Sequence, residues 1–181
     1  AIEWCINNKD TYSIDVLSMS LGASGSSDGT DTTSQLVNQA FANGLVPVVA
    51  AGNDGPAKYT IGSPGAAEDA LTVGAMVDVG EEGYVQAYFS SRGPTADERV
   101  KPDISAPGYN VTSADTNTTN GYTQKSGTSM ATPYTAGTVA LMLDANPNLT
   151  PTQVKSIITN NAVDFGQTGQ DVDFGYGRLQ T

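Results

Sequence analysis

Leu45-Val46-Pro47-Val48-Val49-Ala50-Ala51 is an uninterrupted apolar run closed off by Gly44 and Gly52, and it narrows the folds open to this chain more than any other stretch. A run this short, bounded by glycine, reads as a strand buried on both faces. Such strands belong to parallel sheets with helices packed on either side. The neighbouring segments agree. Residues 13–21, apolar-rich from Val16 onward, read as a preceding strand. A Gly/Ser/Asp loop from Gly22 to Gly29 then leads to a helix from Asp31 to Asn43. Asp31 is its expected N-cap, Leu36, Val37, Ala40 and Phe41 form its buried stripe, and Gly44 supplies a left-handed stop. Strand, helix and strand with short joints make a βαβ unit with a right-handed crossover.

The rest of the chain extends this α/β pattern. Residues 1–10 read as the tail of a helix, and Ala70 to Ala75 repeats the buried-strand signature. From Tyr84 to Ser126 the apolar runs are short and broken by turn residues, which implies loops and antiparallel strands. Ala136, Val139, Ala140 and Leu143 recur at helical spacing in a helix expected from near Ser129 to about Asn146. A last helix opens at Thr150, with Pro151 in its first position and Gln153 completing a capping box. No repeat or linker divides residues 1–181, so one domain is expected.

Nineteen acidic against 8 basic residues leave a net charge of −11, the wrong sign for a nucleic-acid partner. A solvated acidic surface and an adaptation to high salt both account for it. No apolar run reaches membrane-spanning length. Cys5 is the only cysteine, so no internal disulfide exists, and its phase with Ile2 and Ile6 marks it as a small core residue. Asn-x-Ser/Thr triplets begin at Asn110, Asn117 and Asn148, weak support for secretion in a chain rich in Asn and Thr.

Gly127-Thr128-Ser129-Met130-Ala131-Thr132-Pro133 is the stretch with chemistry in it. Ser129 falls where a helix begins, and free N–H groups and the helix dipole there favour developing negative charge. An ordinary N-cap at Thr128 or Ser129 is the plain alternative. A serine nucleophile normally gives its proton to an imidazole, and this chain has no histidine. Lys125, four residues earlier, lacks an obvious desolvating pocket and makes a poor substitute base. In open α/β sheets ligands bind beyond the carboxyl ends of the strands. Leu21-Gly22 and Gly52-Asn53 both fall at such ends, and Ser129 follows a loop able to reach the same rim. Asn53 offers an amide donor to an oxyanion, although Asn-Asp-Gly is also a turn signal.

These segments together resemble the subtilisin-like serine proteases. Gly127 to Pro133 looks like the family's nucleophile segment, Val16 to Gly22 like the strand entering its substrate-binding segment, and Pro47 to Gly55 like the strand ending in its oxyanion asparagine. Ile61-Gly62-Ser63-Pro64-Gly65, Phe89 to Pro94 and Lys101 to Gly108 match further family signatures in family order. Tyr134 departs from the histidine usual after the proline, and Ser18 from a common asparagine; neither position is catalytic in the family. The resemblance implies a subtilisin-like three-layer α/β fold with a mainly parallel sheet, incomplete at its N-terminal side. It implies peptide hydrolysis through an acyl-enzyme, with Ser129 as nucleophile and Asn53 as oxyanion donor. Ser20, Leu21, Gly22, Ala51 and Gly52 would pair with an extended polypeptide substrate, and Gly62 would floor a side-chain pocket. The family's catalytic aspartate and histidine precede the region aligned with Ala1, so the chain reads as the C-terminal portion of a secreted protease's catalytic domain. Self-association, or association with the missing N-terminal part, is expected of it. The chemistry requires no cofactor. Relatives often hold structural calcium, which carried over by position implies Asp103 with the carbonyls of Glu68 and Ala70. The alternative is a non-catalytic subtilase-like binding or surface module.

Overall fold

Alternate residues of the glycine-bounded run feed two separate cores, Val46 and Val48 one and Leu45 and Val49 the other, as the two-residue period of a strand requires. The computed structural model describes residues 1–181. In chain order its elements are α1 (Ile2–Tyr12), β1 (Val16–Met19), α2 (Thr32–Ala42), β2 (Val46–Ala50), β3 (Leu71–Asp78), β4 (Tyr84–Gln86), β5 (Ile104–Pro107), β6 (Val111–Ala114), β7 (Tyr122–Lys125), α3 (Thr128–Ala145) and α4 (Pro151–Asn160). β1, β2 and β3 are parallel neighbours, β5 joins β3 in parallel, and β4 pairs antiparallel with the C-terminal half of β3. On one face α3 and α4 bury Ala131, Val139, Val154 and Ile158 against Val48, Val73 and Ile104. On the other, α2 buries Val37 and Ala40 against Leu17, Met19 and Val49, with Ile2, Cys5 and Ile6 of α1 alongside. The expected three-layer α/β architecture is present; Cys5, expected in the core, is only partly buried and packs against its edge, because no residue of α1 is fully buried.

The boundaries differ where tertiary pairing overrides local pattern. The first strand begins only at Val16, because α1 runs on to Tyr12 and Ser13 turns the chain in a left-handed conformation (φ 52°). The strand expected over Ala70–Ala75 continues to Asp78, drawn out by its pairing with β4. β6 and β7 form a hairpin of largely exposed residues, so no buried face marks it in the sequence. β1 pairs only with β2, which leaves its outer edge open. Beside that edge, Val16, Ala140, Leu143 and Pro147 line a cavity of about 370 Å³.

Asp31 does more than cap α2. It accepts from the Thr33 and Ser34 N–H groups, as an N-cap should, and also from the Ser63 hydroxyl at 2.6 Å and the Ser34 hydroxyl at 2.7 Å. Burial by itself would raise this carboxyl, but the hydrogen bonds from Ser63 and Ser34 outweigh it and hold its pKa at about 2. The sign follows: Asp31 contributes stability above its ordinary value of 3.8, and loses it as pH falls toward about 2. Asp31→Ala is expected to cost about 1–2 kcal/mol. Urea unfolding at pH 7 measures that cost, and Asp31→Asn, which keeps one acceptor, loses less.

Candidate active site

Ser129 lies in the first turn of α3, whose N-cap is Gly127 rather than Thr128 or Ser129, and no side chain caps the helix. Gly127 has φ 154°. The hydroxyls of Thr128 and Ser129 are therefore not consumed as caps. Ser129 is half-buried, and its N–H has no acceptor within the helix.

Pro133 explains a second feature of the segment. Lacking an N–H, it cannot donate to the carbonyl four residues back, which is that of Ser129. That carbonyl instead accepts from the Ser20 hydroxyl at 2.9 Å. The bond ties α3 to the end of β1 across 109 residues of chain.

Asn53 ends the turn that follows β2. Its side-chain oxygen accepts from the Thr128 N–H at 2.9 Å and from the Thr128 hydroxyl at 3.1 Å. A backbone N–H can only donate, so the amide's orientation is fixed by chemistry: oxygen toward Thr128, NH₂ away from it. Buried Ser91 holds the turn on both sides of Asn53. Its N–H donates to the Gly52 carbonyl at 2.9 Å, and its hydroxyl accepts from the Asp54 N–H at 3.1 Å. Gly52, at φ 110°, could not carry a side chain, because a Cβ would lie 2.6 Å from the Ser91 oxygen.

Ser129 and Asn53 line one open cavity of about 280 Å³ together with Ser20, Leu21, Gly22, Ala51, Gly52 and Gly62. All eight residues named from the sequence as catalytic or substrate-binding thus meet at one place. Leu21 and Gly22 make no backbone–backbone hydrogen bond within the chain, so their peptide groups are free for an extended ligand. Gly62 is enforced by contact, since a Cβ there would collide with the Ala23 carbonyl oxygen. Sequence reading missed the positioning role of Ser91, whose only signal was its place in the Phe89–Pro94 block. It also missed Thr128, read only as a cap, and Asp54, read only as part of a turn. Lys125 is exposed on β7 and has no desolvating surroundings.

The residues implied for calcium converge as expected, but around other cations. The Lys101 ammonium donates to the Ala70 carbonyl at 2.8 Å and to Asp103 at 2.6 Å, and Lys155 reaches the same carbonyl at 2.8 Å and Asp103 at 3.1 Å. Both also approach the Glu68 carbonyl, at 3.5 and 3.3 Å. Two ammonium groups already occupy every oxygen of the set, so Asp103, Glu68 and Ala70 do not fit a calcium ion as arranged. Burial opposes ionisation of Asp103, but Lys101 and Lys155 beside it, and hydrogen bonds from Lys101 and Thr72, hold its carboxyl below the usual range. Lys101, the more buried of the two lysines, is pushed down to about 8 by burial against the pull of Asp103, with Lys155 adding repulsion.

The geometry has close counterparts. The chain resembles serine protease AprX of Bacillus subtilis (strain 168), with 42% identity over 182 residues covering 88% of this chain and 41% of that protein. It resembles subtilisin DY of Bacillus licheniformis at 37% identity, covering 98% of this chain and 57% of that protein. Among solved structures, sphericase superposes with a TM-score of 0.86 at 34% identity, over 99% of this chain and 61% of that one. The S41 psychrophilic protease gives 0.84 at 31% identity, again over 99% and 61%. The chain thus spans about half the length of the curated relatives described here, and nearly all of it superposes on the two solved structures. No helix is long and apolar enough to cross a membrane. The Peptidase_S8 model of the subtilase family matches residues 1–177, and with these counterparts it establishes that the chain belongs to the subtilase family.

Proposed function

We propose that this chain is the nucleophile-bearing part of a secreted serine endopeptidase. The observation that carries the reading is the shared cleft, in which an unengaged serine at a helix N-terminus faces the same space as an asparagine whose NH₂ is turned away from its anchor. Ser129 Oγ attacks the scissile carbonyl carbon, and the carbonyl electron pair moves onto oxygen. The Asn53 NH₂ and the Ser129 N–H donate to that oxygen. The serine proton passes to an imidazole and from there to the departing amine, and water repeats the sequence to release the acyl group. No histidine exists among residues 1–181, so that imidazole comes from a segment outside them, as does the carboxylate that orients it. The open edge of β1 and the cavity beside it are the natural seat for that segment.

A fluorophosphonate applied to the whole protease is expected to label Ser129, and mass spectrometry of the labelled peptide checks it. The absence of histidine favours a second reading, a binding module. An ordered, peptide-binding cleft in the whole protein that never labels would support that reading instead.

A further inference from the structure

We infer that Asn120–Gly121, in the turn between β6 and β7, is a site of spontaneous covalent modification, where the asparagine amide is exchanged for a carboxylate and only the Thr118 hydroxyl restrains the reaction. The chemistry needs no ligand and proceeds whether or not the cleft cleaves peptides. Asn-Gly occurs twice in the chain, at Asn43–Gly44 and Asn120–Gly121, and in both the glycine has no Cβ to hinder its nitrogen. The glycine nitrogen gives its proton to hydroxide and attacks the asparagine Cγ. The new C–N bond closes a cyclic imide, and the side-chain nitrogen leaves as ammonia with a proton from water, which restores the hydroxide. Water then opens the ring at either carbonyl. One opening gives aspartate, and the other gives isoaspartate, in which the backbone runs through the former side chain.

The fold treats the two pairs differently. Asn43 is the C-cap of α2: its Nδ2 donates to the Gln39 carbonyl at 2.8 Å, and the Gly44 N–H donates to the Phe41 carbonyl at 3.0 Å. Both groups that would have to meet are held, so attack there requires the end of α2 to unwind. Asn120 is exposed, and neither its backbone nor its side chain hydrogen-bonds to the rest of the chain. Its amide is free to turn toward the next nitrogen. The Gly121 N–H has one partner, the hydroxyl of exposed Thr118 at 2.8 Å. A Cβ at Gly121 would collide with the Thr118 side chain, so the turn demands the very residue that admits the attack. The product adds a negative charge to a chain already at −11. Isoaspartate also inserts a methylene just before Gly121, whose carbonyl closes the turn by accepting the Asp115 N–H at 2.9 Å. Below the hairpin, the Gly127 N–H donates to the Gly108 carbonyl at 2.8 Å, which fastens its base and keeps α3 in place.

The test incubates the whole protein, carrying Ser129→Ala to exclude self-cleavage, in mildly alkaline heavy-oxygen water and follows the Asn43 and Asn120 peptides by mass spectrometry. Asn120 should exchange its amide for a labelled carboxylate roughly tenfold faster than Asn43, with both aspartate and isoaspartate among the products, because it gives up fewer hydrogen bonds to react. Thr118→Ala, which frees the Gly121 nitrogen, should speed conversion of Asn120 by roughly two- to tenfold and leave Asn43 unchanged. In urea the two pairs should convert at similar rates, since the fold no longer protects Asn43. Conversion of Asn120 no faster than that of Asn43 overturns the inference. A preference that persists undiminished in urea overturns it as well, since local sequence would then set the rates. A Thr118→Ala rate equal to that of the parent removes the assigned restraint and overturns it too.

Discussion

Replacing Asn53 by alanine should lower kcat of the whole protease about 10²–10³-fold while changing KM little, a magnitude taken from subtilisins rather than from this geometry. The split between kcat and KM is the informative part. The Asn53 NH₂ is aimed by Thr128, and its oxygen is already satisfied. On the proposed reading its free donors gain a partner only when the substrate carbonyl becomes an oxyanion, so they would stabilise the transition state and not the bound substrate. Ser129→Ala removes the attacking atom and should cost more, leaving only the residual rate of a cleft that still binds and polarises its substrate. If Asn53→Ala instead raised KM with kcat intact, the residue would be a substrate contact and the turn-residue reading would regain its place.

The buried charge cluster should give the largest stability effect. Asp103 is 5% exposed and Lys101 3% exposed, and Asp103 is shared between two ammonium groups and the Thr72 N–H. Asp103→Ala leaves the buried Lys101 ammonium and the partly exposed Lys155 ammonium without their anion, and breaking such a buried pair costs about 3–5 kcal/mol. For a domain of this size that lowers Tm by roughly 6–20 °C, measurable by calorimetry. Lys101→Met keeps the volume and leaves the Lys155–Asp103 pair, so it should cost much less. Adding calcium or a chelator should leave the wild-type Tm unchanged to within about 1 °C, since a ligand stabilises only what it binds. A chelator-sensitive Tm abolished by Asp103→Ala would contradict the lysine-filled arrangement. The pH dependence has two opposed parts. Asp103, with its carboxyl held low, contributes stability above its ordinary value of 3.8 and loses it toward acid. Lys101 binds its proton less tightly in the fold than in the unfolded chain, so between about 8 and 10.5 it contributes rising stability with pH.

What the sequence made legible follows from where local chemistry decides the outcome. β2 was readable because burial on both faces leaves an apolar run with nothing to alternate against. α4 was readable because Thr150, Pro151 and Gln153 form a local cap that the structure contains in full. The β6–β7 hairpin was not, because exposed residues carry no period. The convergence of Ser129 and Asn53 followed from two chain ends meeting at one sheet rim. The occupant of the Asp103 cluster did not: nothing in the spacing of Lys101 and Lys155 says that two ammonium groups will reach the same carbonyl across 31 and 85 residues of chain, respectively. Ser91 was hidden for the same reason, since its N–H bond to Gly52 and its hydroxyl bond to Asp54 join residues far apart in the chain.

A structure of the fluorophosphonate adduct tests most directly whether one serine and one carboxamide act on a single carbonyl. The phosphonyl oxygen on Ser129 should lie about 2.7–3.1 Å from both the Asn53 Nδ2 and the Ser129 N–H nitrogen. An adduct whose oxygen points to solvent, with the Asn53 amide still turned elsewhere, would contradict the account.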